Sequence, residues 1–513
     1  MENQTKNSRQ KKIETFVKTI NKAINPVEYF AKLSDYGRKN SILLESADIV
    51  EKYGELSLGS ADPCLKITGK GADFEIKALN KLGIKFIKSL KGDFDFCDKV
   101  IYKKDLIIGK LKPKRKIVSE EERLKLKTHA DILRKIVFKF KASSKPFIPF
   151  CGLFGAISYD FIDQFEELPK NKHDLLKEPD YEFYYLDNLF LIDHRKKKTH
   201  IIANRIFNNN ADRIFDYYIK KINEPLPEKR IFNNKIGRLD ADTSRKEYIK
   251  IVKIMKEHIL KGDIFQAVPS RTIISNYKNE PLDIYNKLKQ LNPSPYMFYM
   301  NTENGIILGA SPEMALRVQN KIVEIRPIAG TKPRGLIKGK IDSDLDARYE
   351  SELKTDFKEL AEHTMLVDLA RNDVAKISKP GTRYCNEPYI VEKYSHVQHL
   401  VSNVKGILKD DLDALHAYLA TMNMGTLTGA PKIEAMKLIR KSEKNKRGYY
   451  GGSVAYMTPK GDFDSTIIIR SIRIKKKKAY IRAGAGIVYD SSPEEEFRET
   501  EKKIKACLRA IGV

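Results

Sequence analysis

In the stretch "KELAEHTMLVDLARND", residues 358–373, Glu359 and Glu362 stand three apart and His363 follows directly. On a helix, positions i and i+3 share one face, so the two carboxylates point the same way. Glu496 and Glu499 repeat the spacing near the C-terminus in "EEEFRET". Four carboxylates on two helices form an all-oxygen donor set. Such a set suits a hard cation such as Mg2+, which keeps several waters and bridges to an anionic substrate. Taken singly, each Glu-x-x-Glu reads as solvated surface charge. A di-iron site is the competing metal chemistry, but it needs Glu-x-x-His on helices of a bundle, and here His363 adjoins Glu362.

Other segments offer proton transfer and anion binding. In "GASPEM" (309–314), Glu313 follows a strand-like run and a proline, where a partly buried carboxyl would have a raised pKa and serve as a general acid. "YSHVQHL" (394–400) supplies His396 and His399, both able to move protons near neutral pH. "MGTLTGAPKIEAM" (424–436) is a Gly- and Thr-rich turn with Pro431 expected in the first turn of the next helix, where free backbone N–H groups receive an anion. It lacks the GK[ST] ending of a Walker A loop, and "RAGAGIV" lacks the third glycine of a dinucleotide fingerprint. Arg470 in "IIIRS" provides a guanidinium for a carboxylate, and Gly484 and Gly486 mark backbone that a ligand can approach closely.

These residues need elements to position them. Ser244 and Glu247 form a capping box, and Tyr248, Ile251, Val252, Met255 and Ile259 line one face of the helix that follows until Gly262. Short apolar runs between Tyr296 and Arg326 predict an antiparallel meander, and helical spacing runs from Glu350 to Ala370. "STIIIRSIRIKKKKAYIRAGAGIVY" predicts a hairpin, followed by a C-terminal helix. Strands and helices mixed without a βαβ order give an α+β class. The chain divides at "NEPLPEKRIFNNK" into an N-terminal half, residues 1–235, and a second half, 240–513, which carries nearly all the motifs.

Composition narrows the classes. Hydrophobic residues make up 41% and charged residues 32% of the 513, as in an ordinary globular protein. The net charge of +27 raises a nucleic-acid partner. Its basic runs, however, are short and scattered among strand-like stretches, as solvated turns would be, so no nucleic acid is expected. No stretch is apolar enough for a membrane span or a signal core, and five widely spaced cysteines without a CxxC pair fit a reducing cytoplasm. Tryptophan is absent.

Taken in order, "GDIFQAVPSR", "NPSPYMFYM", "GASPE", "RPIAGTKPRG", "KELAEHTMLVDLARND", "YSHVQHLVSNVKG", "MGTLTGAPK", "RGYYGGSVAY", "IIIRS" and "RAGAGIVYDSSPEEEFRET" resemble the chorismate-utilising enzymes, most closely their component I anthranilate synthases. The blocks run nearly unbroken from 262 to 500; "SILLES" (41–46) and "CGLFGAISYDFIDQFEELP" (151–169) carry a thinner likeness in the first half. The resemblance implies large antiparallel sheets sandwiched by helices, in an α/β/β/α order. It implies addition of ammonia to chorismate with loss of a hydroxyl, then elimination of pyruvate. Glu359, Glu362, Glu496 and Glu499 would surround Mg2+, Glu313 would be the acid and His399 would serve the elimination. Thr426, Tyr450, Arg470, Gly484 and Gly486 would hold the enolpyruvyl carboxylate, with Gly330 and Thr331 at the ring end.

The resemblance also implies a nucleophile and a regulator. Relatives that add water carry a lysine where this chain has Gln266, and aminodeoxychorismate synthases carry one where it has Ala329. Neither position holds an amine, so ammonia is the expected nucleophile. It would come from a glutamine amidotransferase subunit in a heterotetramer of two large and two small subunits. Ser46, Pro295, Met297 and Phe298 resemble a tryptophan feedback site. A catalytically dead tryptophan sensor is the remaining alternative, which the intact acidic and histidine positions oppose.

Overall fold

The computed structural model describes residues 12–47, 56–112, 119–142, 151–207, 210–230, 239–337, 339–394 and 397–513. His396 lies outside them, as do the last residues of the "NEPLPEKRIFNNK" segment. Two large sheets, of 12 and 13 strands among the described residues, dominate the architecture. Among the described residues every pairing of strands is antiparallel except that of Lys12–Ile13 with Lys141–Ala142. Both halves of the chain contribute to both sheets. The first sheet is continuous where Ser41–Glu45 pairs with Tyr296–Thr302, and the second where Gly152–Ile157 pairs with Ser453–Met457.

The layers follow from what each strand face buries. Phe298, Met300 and Ile307 of the first sheet pack with Phe154, Tyr184 and Val454 of the second, so the sheets meet face to face. The outer face of the first sheet packs Met297, Leu308 and Ile481 under helices that contribute Tyr285, Leu288, Ile504 and Cys507. The outer face of the second packs Ile67, Leu316 and Val404 under Ile132, Val374 and Tyr418. This is the expected α/β/β/α order. Strands buried on both faces read as continuous apolar runs, which explains their sequence.

The antiparallel meander expected from Tyr296 onward is split between layers. Tyr296–Thr302 and Gly305–Ser311 pair in the first sheet, but Met314–Gln319 belongs to the second. The predicted C-terminal hairpin divides in the same way: Phe463–Ile467 lies in the second sheet, whereas Ser471–Lys475 and Lys478–Gly484 form the hairpin in the first. The two crossings sit side by side. Ile467 N–H and the Thr466 hydroxyl donate to the Glu313 carbonyl at 3.1 and 2.8 Å, and Ala310 N–H donates to the Arg470 carbonyl at 3.2 Å. Glu313 and Arg470 therefore occupy the two steps between sheets, and Arg470 takes a left-handed backbone with φ 47° to make its step.

The long helix expected from Glu350 is two helices, Ser343–Thr355 and Phe357–Ile377, broken at Asp356. The Asp356 side chain accepts from the N–H groups of Lys358 and Glu359 at 3.0 and 3.2 Å, so it caps the second helix and places Glu359 in its first turn. The helix Arg245–Leu260 begins with the expected capping box at Ser244 and Glu247 and buries Tyr248, Ile251, Val252 and Met255. Among the described residues, no helix is long and apolar enough to cross a membrane.

Candidate active site

Glu313 is 7% exposed, and burial pushes its carboxyl from 4.5 up to about 8. The Thr426 hydroxyl beside it and the charges of Arg470 and Lys503 pull the other way without overcoming burial. At neutral pH the group therefore holds its proton, as a general acid must. Thr426 stands in a single helical turn, Gly425–Thr428, and its oxygen is buried with no hydrogen bond of normal geometry.

His399 lies on the strand Val397–Ile407, opposite Thr331 of the strand Ile328–Pro333. Its Nδ1 is 3.0 Å from both the Gly330 carbonyl and the Thr331 hydroxyl. A carbonyl only accepts, so Nδ1 carries the proton and Nε2 keeps its lone pair. Burial, then the Arg470 charge, lowers the pKa to about 4. The chain thus carries a buried carboxyl that keeps its proton and a buried imidazole that stays uncharged near pH 7.

Gly330 has φ +66°, and a Cβ there would come within 2.8 Å of Leu353 Cδ1 and 3.0 Å of Glu359 Oε2. Only a glycine lets the strand pass this close to the carboxylate helix. Burial raises the carboxyls of Glu359, Glu362 and Glu496, and Glu362 reaches about 7 because Glu359, Glu499 and Glu496 add their repulsion. Glu499 pairs with Lys503 at 2.7 Å, whose Nζ also donates to the Gly484 carbonyl at 3.0 Å. Among the described residues, no three His, Cys, Asp or Glu side chains stand close enough together to hold a metal ion. The four carboxylates sense one another's charge across the two helices without meeting at ligand distance. Buried like charges and an all-oxygen donor set are the chemistry a divalent cation relieves.

The remaining predicted residues have the following surroundings. Tyr450 is buried, with the guanidinium groups of Arg447 and Arg482 each 5.9 Å from its ring centre. At Gly484 and Gly486, where the sequence marks backbone open to close approach, the chain's own atoms also pack near. A Cβ at Gly484 would lie 2.6 Å from the Pro269 carbonyl, and one at Gly486 would lie 2.9 Å from Gln266 Nε2. Pro431 caps the helix Lys432–Ser442 rather than entering its first turn, because Gly429–Ala430 first pairs with Gln266–Ala267. His363 turns away from the carboxylates and bonds to Ser402.

Ser46, Pro295, Met297 and Phe298 gather apart from these residues, where Ser41–Glu45 pairs with Tyr296–Thr302. Met297 packs on the helix-facing side of the first sheet and Phe298 between the sheets, so their side chains point oppositely. The Ser46 hydroxyl is buried without a hydrogen-bond partner among the described residues. Sequence reasoning missed Lys503, which bridges Glu499 and Gly484 and acts on Glu313. Its only sequence signal is its position four residues after Glu499. It also missed that Thr331 holds His399.

A buried carboxyl at the step between two antiparallel sheets, a buried imidazole on a strand of the second, and carboxylates on two helices make up the candidate site. The profile described as chorismate binding enzyme matches residues 101–509, and the chain belongs to this family. Anthranilate synthase component 1 of Buchnera aphidicola subsp. Rhopalosiphum maidis is 43% identical over 95% of each chain. The protein of that name from Vibrio cholerae serotype O1 is 42% identical over 93% of this chain and 92% of its own. The crystal structure of anthranilate synthase component I from Streptococcus pneumoniae TIGR4 aligns with TM-score 0.71 at 28% identity, covering 88% of this chain and 92% of that one. The menaquinone-specific isochorismate synthase of Escherichia coli shares the fold, with TM-score 0.63 at 15% identity over 98% and 95% of the two chains.

Proposed function

We propose that the chain is the large subunit of an anthranilate synthase, converting chorismate and ammonia into anthranilate and pyruvate for tryptophan biosynthesis. The observation that carries this reading is the placement of the chemistry: a buried Glu313 at the step between the sheets, and His399 held by Gly330 and Thr331 where the strand passes the Glu359 helix. Relatives of that name at 42 to 43% identity support it.

Each residue has a task in this chemistry. Arg470 and the Gly484 backbone, with Thr426 and Tyr450, bind the enolpyruvyl carboxylate. Glu359, Glu362, Glu496 and Glu499 would hold Mg2+, which supplies charge neutralisation for the ring carboxylate. Glu313 gives its proton to the departing 4-hydroxyl, which leaves as water while ammonia forms the C2–N bond, the ring double bonds shift, and the new ammonium releases a proton to become the amine. His399 Nε2 then takes the C2 proton, the C3–O bond breaks, and the enolpyruvyl group leaves to become pyruvate as the ring becomes aromatic. Ala329 offers no nucleophile, and Gln266 is 6% exposed with an amide in place of an amine. The nitrogen therefore comes from outside the chain, from a glutamine amidotransferase subunit in a two-plus-two heterotetramer. Tryptophan, bound near Ser46, Pro295, Met297 and Phe298, would inhibit.

Anthranilate fluorescence tests the reading. The purified chain should form anthranilate from chorismate with high ammonium and Mg2+, stop on chelation, and fail to use glutamine until an amidotransferase subunit is added. Activity that survives chelation, or glutamine use by the chain alone, would contradict it.

A further inference from the structure

His363 sits beside Glu362 yet belongs to a different network. It is fully buried on the helix Phe357–Ile377, and its Nε2 lies 2.7 Å from the hydroxyl of Ser402. Ser402 is on the His399 strand, three residues further along. The same hydroxyl accepts the Tyr389 backbone N–H at 2.9 Å. With that lone pair used, donation of the Ser402 proton to His363 Nε2 leaves the fewest buried groups unsatisfied. Nδ1–H is then the one donor of this cluster without a partner among the described residues.

Ser402 also faces an irregularity. In the neighbouring strand Tyr384–Lys393, Asn386 pairs with Asn403 and Ile390 with Val401, so Glu387, Pro388 and Tyr389 stand opposite Ser402 alone. Glu387 and Tyr389 take left-handed φ values of 52° and 53° in this bulge. Two strained non-glycine residues are costly, and such features persist where surrounding structure fixes them for a purpose. The Tyr389 ring packs edge-on against His363 at 5.3 Å, and its hydroxyl is 3.0 Å from Thr364. The bulge, the carboxylate helix and the His399 strand therefore meet at one hydroxyl.

We propose that His363 is a positioning residue: through Ser402 it fixes the register of the Glu359–Glu362 helix turn against the strand that carries His399. This rests on the anthranilate synthase reading for the role of the carboxylates. His363 neither touches substrate nor binds the cation; it sets where the carboxylates stand relative to the base. Removal of a partner that orients ligands typically costs about 10- to 100-fold in metal affinity or activity.

The test uses the full chain carrying His363→Phe, which keeps a ring against Tyr389, His363→Gln, which restores a hydrogen-bonding group, and Ser402→Ala. Mn2+ binding is read by electron paramagnetic resonance, with kcat, KM for chorismate and the melting temperature alongside. His363→Phe and Ser402→Ala should each weaken Mn2+ binding and lower kcat by about tenfold or more. The double variant should be no worse than either, and His363→Gln should recover most of the loss. Mn2+ binding and kcat unchanged in all three variants, with only the melting temperature lowered, would overturn the proposal; so would fully additive losses. Should the unaltered chain make no anthranilate, the reading of the reaction falls, while the Mn2+ comparison still decides the linkage between His363 and Ser402.

Discussion

Replacing Glu313 with glutamine should make the protein more stable and less active, and the gap in stability should depend on pH. Burial holds the Glu313 carboxyl at about 8 in the folded chain, against 4.5 for the free group. The folded state therefore binds this proton more tightly than the unfolded one. That contribution is fully present below about pH 4.5 and is lost as pH rises toward about 8. Each pH unit in the window is worth about 1.36 kcal/mol. Integrated between the two values, the wild type gives up about 0.8 kcal/mol at pH 5 and about 4 kcal/mol at pH 8, and glutamine, which does not titrate, gives up none. Urea unfolding of both proteins at pH 5 and pH 8 should show the variant gaining on the wild type by roughly that difference. Its turnover should fall by about 10²- to 10⁴-fold, as expected when a general acid is removed, and wild-type kcat should decline above pH 8 as the acid form is lost. A stability gap equal at both pH values, or a variant with undiminished turnover, would refute the argument that burial keeps this acid protonated.

Other substitutions separate the remaining parts. His399→Met should halt the reaction after amination, with an amino intermediate accumulating and no pyruvate released, as followed by liquid chromatography and a pyruvate assay. Gly330→Ala places a methyl 2.8 Å from Leu353 and 3.0 Å from Glu359 at φ +66°. It should cost more than about 1 kcal/mol in urea unfolding and lower turnover as well. Asp356→Ala removes the cap that sets Glu359 in the first helical turn, and should cost about 1 kcal/mol of stability while raising the Mg2+ concentration needed for half activity.

What the sequence made legible was mostly local. The capping box at Ser244 and Glu247 and the alternating apolar faces depend on neighbours a few residues away. Sheet membership does not. The run Tyr181–Asp193 looks like one apolar stretch, yet it steps between sheets at a buried Asp187, as the chain does again at Glu313 and near Arg470. Nothing in the composition of a strand buried on both faces announces which layer it joins. The break at Asp356 carries neither glycine nor proline, so it hid inside a helical pattern. At the site, residue identity and order singled out Glu313, His399 and the four carboxylates as candidates. Their surroundings needed distances: Thr331 lies 3.0 Å from His399, Pro269 and Gln266 pack near Gly484 and Gly486, and His363 faces Ser402.

The central claim concerns a reaction, and its products decide it. The purified chain is incubated with chorismate, Mg2+ and 15N-labelled ammonium at mildly alkaline pH, and the mixture is resolved by mass spectrometry. Anthranilate carrying 15N, with an equal amount of pyruvate, is the predicted result. Aminodeoxychorismate, isochorismate or untouched chorismate in its place would contradict the roles given to Glu313 and His399.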